Sequence, residues 1–267
     1  MIKINKLLLS FSLSAMYLII SSFTVVDDPK WYTQPFTTNS IAEPCYIPNT
    51  AFQHGEELVY KIYYNVNFVW VPAGELNMKV EDLGNQFHLK AVGSTYRSYD
   101  WFYTVRDYYD SYLDKSSLLP VVSVRDISEG KYKLYDKVVL DQTKRQATSY
   151  RGSHEHNTKR SDFKLSDCMH DIFSILYYCR NIDFNTFSKG ATFPIKVMLD
   201  EKEYPLSVKY QGKQSKKHVK DMGHYKTIQF SPQLIDGRVF KEGSELNLWV
   251  SDDANKIPLL IESPLSV

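Results

Sequence analysis

Three cysteines in 267 residues are too few for a disulfide framework. Cys168 and Cys179 fall eleven positions apart in what reads as one helix, about 16 Å along its axis, so they cannot pair with each other. Cys45 can reach either one in an oxidising compartment, but small buried hydrophobes are the simpler reading. A charge imbalance is missing as well. The chain has 32 basic and 31 acidic side chains, a formal net charge of +1, which lacks the basic footprint of a nucleic-acid binder. HExxH, GxSxG, the Walker phosphate loop and GxGxxG are all absent. No catalytic residue and no cofactor are therefore expected, and the chain reads as non-enzymatic. His154-Glu155-His156 offers two imidazoles, but its hydrophilic loop has no third ligand nearby, so no metal is expected either.

What is present begins with MIKINKLLLSFSLSAMYLIISSFTVVDD. Lys3 and Lys6 precede an apolar core from Leu7 to Ile20, and Ser21 and Ser22 supply small residues near a cleavage point, the order of an export signal. The alternative is an uncleaved anchor, because Leu7 to Val26 carries no charge and about 20 residues span a bilayer. Residues 1–26 are thus expected to direct the protein to the periplasm or to hold it at the inner membrane. Residues 27–53, with four prolines and no periodicity, read as an extended lead-in to one β-rich domain over 54–267.

From Glu56 onward the pattern alternates. Leu58, Tyr60, Ile62 and Tyr64 fall on one side of a strand; Leu76, Met78 and Val80 do so on the next, and Phe87, Leu89 and Ala91 on a third. Further strands are read in VVSVRDISEG, KYKLYDKVVLD and QATSYRG, and later in ATFPIKVMLD, EYPLSVKYQ, HYKTIQFSP, ELNLWVSD and IPLLIES. RGSHEHNTKRSDFK reads as a polar loop. DCMHDIFSILYYCRN reads as the one principal helix, with Asp167 as N-cap and a stripe of Ile172, Ile175, Leu176 and Cys179. The expected class is mainly β (α+β).

Aromatic residues make up 14% of the chain, with 20 tyrosines. They crowd between Tyr96 and Tyr112, where Tyr99, Trp101, Phe102 and Tyr103 can line an apolar cavity, stack on sugar rings, or simply pack the sheet. In WVSDDANKIP, Asp252 and Asp253 lie between two alternating runs. An EF-hand loop has oxygen ligands at its third and fifth positions, where this stretch has Ala254 and Lys256, so the acids turn a hairpin instead. The basic run KQSKKHVK belongs to another hairpin and is able to meet anionic lipid headgroups.

Several phrases occur together in a recognisable order: GEELVYKIYYN, AGELNMKVED, VRDYYDSYLD, LLPVVSVRDISEG, DIFSILYYCR and LNLWVSDDANKIPLLIE. Over about residues 53–265 the chain resembles domain-of-unknown-function family 3108, a group of bacterial envelope proteins. Asp171, Ser174, Tyr177 and Arg180, at three-residue steps, carry the helical part of that resemblance; Trp249, Asp252 and Asp253 carry the hairpin part. The family looks like a relative of the lipoprotein-carrier (LolA/LolB-like) fold. That implies a curved antiparallel sheet or half-barrel with a helix packed on its concave face. A lipid or lipid-linked ligand is then expected against the helix, with Ile172, Leu176 and Tyr177 lining the site and Arg180 paired with Asp171 or another buried acid. A membrane surface is a further expected partner. The other readings are a glycan-binding surface using residues 96–112, and a structural or partner-binding module with a filled core.

Overall fold

A computed structural model describes residues 45–66, 69–232 and 246–263 of the protein. The expected export signal or anchor at residues 1–26 lies outside the described residues. Among the described residues, no helix is long and apolar enough to cross a membrane.

Among the described residues, thirteen strands form two antiparallel sheets. The first is an eight-stranded meander in sequence order: β1 (Glu57–Val66), β2 (Val69–Asp82), β3 (Gln86–Thr95), β4 (Arg106–Asp114), β5 (Pro120–Glu129), β6 (Tyr132–Asp141), β7 (Gln146–Gly152) and β8 (Thr158–Lys164). The second has the order β13-β12-β11-β10-β9, from β9 (Thr192–Leu199), β10 (Lys202–Val219), β11 (Gly223–Pro232), β12 (Asn247–Ser251) and β13 (Pro258–Glu262). Neither closes into a barrel. The alternation read in the sequence is the register seen: Met78 pairs with Ala91 and Val80 with Leu89, all four buried on the inner face. Gly74 faces β3 so closely that a Cβ there would overlap the Ser94 carbonyl oxygen, so only glycine lets the two strands meet at this point. One apolar cluster spans both sheets, joining Val80, Leu89 and Leu113 to Tyr178, Val208 and Phe230.

The structure corrects the sequence reading in three places. The segment Thr158–Lys164 is not loop but strand β8, paired along its length with β7. The long helix over 167–181 is not formed: helix α1 covers only Ser174–Cys179. The residues before it are drawn into other work. Cys168 has a positive φ of 55°, and His170 forms a parallel bridge with Val197, exchanging backbone hydrogen bonds with Lys196 and Met198. Helical geometry is impossible there, so Asp167 caps nothing. The turn opens instead at Asp171, whose carboxylate accepts from the amides of Phe173 and Ser174 at 2.9 and 2.7 Å.

The third correction concerns the cysteines. Cys45 and Cys168 form a disulfide with Cα atoms 4.9 Å apart, across 123 residues of sequence. Cys179 is free. With Cys168 off the helix, its side chain meets the lead-in segment, and the bridge pins that segment beside α1. Ala51 and Phe52 then enter the core, where Phe52 packs edge-on against Phe87 and Tyr177 at 5.1 and 4.9 Å.

Candidate functional site

The inner faces of the two sheets differ in chemistry. On the eight-stranded sheet, Arg125, Asp136 and Arg151 point inward and meet Asp200 from the β9–β10 turn. Asp200 accepts from both arginines at 2.6 Å. Burial pushes its carboxyl up, but the two guanidiniums outweigh burial and hold it below the usual carboxylate range. Asp200 and Glu201 both have positive φ, 52° and 61°, in a two-residue hairpin turn that usually takes Asn-Gly. The ion pairs hold this turn against the other sheet.

Nearby, Asp107 is fully buried and accepts from the Ser128 amide at 2.9 Å. Burial raises the Asp107 pKa to about 6. A third polar group surrounds the start of α1. His170 Nδ1 lies 3.2 Å from Ser174 Oγ, and Asp171 accepts from Ser111 at 2.5 Å. These residue types resemble a hydrolase triad, but the geometry is that of a helix cap. Asp171 bonds Ser111 and backbone amides, and all four side chains are buried. Burial lowers the His170 pKa to about 3, so the imidazole is neutral.

The five-stranded sheet is apolar on its inner face, and here a cavity remains. Phe193 and Ile195 of β9, Val208 of β10, Phe230 of β11 and Val250 of β12 form its floor, and Ile175, Leu176 and Cys179 of α1 form its roof. Its volume is about 80 Å³. A second cavity of about 260 Å³ adjoins it, sharing Phe184 and Lys256 and adding Asn185, Ile228, Asp252 and Asp253. An apolar cavity thus lies beside one of mixed lining.

Lys256 lines both cavities, and Arg180 lines the apolar one. Arg180 is buried and bonds both carboxylate oxygens of Glu56 at 2.6 and 2.7 Å, with further bonds to the carbonyls of Ala51 and Asn255. Its guanidinium also lies 5.0 Å from the Tyr177 ring centroid. The expected acidic partner is therefore Glu56, from the lead-in segment, and not Asp171. Lys256 donates to the Arg180 carbonyl at 3.1 Å, and burial pushes its ammonium below the ordinary lysine range. The two acids of the hairpin turn the chain as read. Asp253 accepts from Ser251 Oγ and the amides of Asn255 and Lys256, while Asp252 pairs with Lys213 at 2.8 Å. Trp249 is buried beneath Lys217, whose Nζ is 3.4 Å from its ring centroid.

With that geometry in hand, the family can be stated. The chain belongs to the family described as Protein of unknown function (DUF3108), which matches residues 59–267. Searches among curated proteins and solved structures return no match. The DUF3108 match starts within β1 and takes in both sheets, so both cavities fall inside it, whereas Cys45, Phe52 and Glu56 precede it.

The structure separates the residues read as ligand-binding. Leu176 lines the apolar cavity. Ile172 is half-buried against the core, and Tyr177 is buried against Phe52. Tyr99, Trp101, Phe102 and Tyr103 lie elsewhere, in and after a 3-10 turn (Arg97–Tyr99) that joins β3 to β4. Lys256 and Phe184 were not singled out by sequence, and Cys179 was read only as part of the helical stripe. The signal for the cavity floor was there, however, in the alternation of Ile228 with Phe230 and of Leu248 with Val250.

Proposed function

We propose that this DUF3108 protein is an exported, non-enzymatic envelope protein that holds a lipid or lipid-linked molecule between its five-stranded sheet and α1. The observation that carries this reading is the pairing of chambers. An apolar pocket lined by Leu176 and Phe230 adjoins a more polar one lined by Lys256, Asp252 and Asp253. Single apolar cavities arise by packing error, but an amphiphile needs both environments side by side. At about 80 Å³ the apolar chamber takes the terminal part of a chain, and the more polar chamber takes the more hydrophilic portion joined to it.

Two further points favour the reading. The Cys45–Cys168 disulfide belongs in an oxidising compartment, which agrees with an export signal at residues 1–26. The resemblance to lipoprotein carriers supplies a precedent for a curved sheet packed around a helix with acyl chains between. In this reading the five-stranded sheet is the wall that holds the chain and α1 is its short cover. Mass spectrometry of lipids released from gently extracted protein tests the idea. One lipid class retained in stoichiometric amount is expected, and lipid-free protein would count against it.

A glycan-binding reading has one observation in its favour: Trp101 is 77% exposed, tilted against Phe102 at 5.7 Å. Planar rings at the surface are what sugar stacking requires. Binding of oligosaccharides that is lost in Trp101→Ala would establish it.

A further inference from the structure

One end of the molecule gathers exposed apolar side chains from three separate tips. Trp101, on the β3–β4 connection, is 77% exposed; Met222, in the β10–β11 turn, is 56% exposed; Trp70, at the start of β2, is 51% exposed. Local contacts bring the three tips together. Tyr96 of the connection bonds the Ala73 carbonyl and Glu75, both on β2. Tyr63 of β1, in register with Pro72, donates to Asp221 of the β10–β11 turn at 2.8 Å, and Lys220 lies over its ring. The β5–β6 turn joins the same end, since the Gly130 amide donates to the Thr104 carbonyl.

The charges at this end are mixed, with a small cationic excess. Asp100 is neutralised by Arg106 at 2.8 Å, while Glu75 and Asp221 are bonded by the hydroxyls of Tyr96 and Tyr63 and stay anionic. Arg97, Lys131 and Lys220 are exposed, and among the described residues none of them has a carboxylate partner. A rim with two tryptophans and a methionine at its tips and cations among them has the composition of a bilayer-interface anchor. The rings and thioether enter the headgroup layer while the cations meet anionic phosphates.

We propose that this rim docks the protein onto an anionic membrane surface. The inference is independent of what the cavity holds, because the rim residues line neither chamber. The test is sedimentation of the exported protein with phosphatidylcholine vesicles made with and without phosphatidylglycerol. Binding is expected with the anionic lipid only, weakening as salt rises. The triple reversal R97E/K131E/K220E should lower the partition coefficient at least about tenfold, and the pair W101A/M222S about fivefold or more. Circular dichroism confirms that each variant is folded. In the unmutated protein, brominated acyl chains should quench tryptophan emission, and the pair W70F/W101F should remove most of that quenching. Equal binding to neutral vesicles, unchanged binding of the folded variants, or no quenching would overturn the proposal. So would a requirement for the same rim residues in binding a glycan or a protein while vesicles go unbound.

Discussion

The two sheets bury comparable strands but close their interiors differently. The eight-stranded sheet buries Leu113, Val80 and Leu89 on its inner face, with a four-member charge network joining it to the β9–β10 turn. The five-stranded sheet presents the rings of Phe193, Tyr210 and Phe230, which meet Phe184 of the 3-10 turn Phe184–Thr186 at centroid distances of 4.6 to 6.3 Å, and leaves space beneath α1. A protein whose only task was stability would gain by filling that space. Keeping it open on one sheet, beside a more polar chamber, is the feature for which a binding role accounts.

The comparison predicts unequal responses to mutation. The largest effect is expected at the joint between the two regions. Arg180→Ala leaves Glu56 as an uncompensated, largely buried charge and should cost about 3–5 kcal/mol, read by urea denaturation. Leu113→Ala, on the eight-stranded sheet, should cost about 3–4 kcal/mol by the same measurement. Replacing Cys45 and Cys168 by serine releases the lead-in segment and should cost about 2–4 kcal/mol, seen as a lowered Tm that reductant does not lower further. The smallest effect belongs to the open region. Leu176→Phe extends into the cavity and should change stability by less than about 1 kcal/mol, because it occupies space instead of displacing neighbours.

Acidity sharpens the contrast, since the raised carboxyl lies on the eight-stranded sheet. Asp107 titrates near 6 in the folded chain and near its ordinary value of 3.8 when unfolded. The native state therefore holds a proton that the unfolded chain has released between these values, and stability falls as pH rises from about 4 to about 6. Above that window the penalty is constant, up to about 3 kcal/mol. Asp107→Asn should flatten this part of the pH profile and raise Tm at neutral pH, which scanning calorimetry across pH 4–7 will show.

Much of the fold was legible because period-two alternation survives wherever one face is buried. It marked β2 and β3 residue by residue, and β11 with β12. It failed at β8, an edge strand whose sequence TKRSDFK is half-buried or exposed throughout and so carries no apolar face. The helix was overread for the opposite reason. Ile172, Ile175, Leu176 and Cys179 do have helical spacing, but a disulfide to residue 45 and a bridge to β9 claim the residues before Asp171, and neither constraint is local. The Arg180–Glu56 pair spans 124 residues and leaves no periodic trace. The site was half legible: the acids at 252–253 turn the chain as their side chains dictate, while the role of Lys256 depends on a cavity that only the packed sheets create.

The most direct test of the central claim is a fluorescence titration with a dansyl-labelled fatty acid, comparing the unmutated protein with Leu176→Trp, which plugs the apolar chamber. The account predicts saturable binding with a blue-shifted dansyl emission, weakened at least about tenfold in the plugged variant while Tm is kept. Equal binding by both proteins, or none by either, would contradict it.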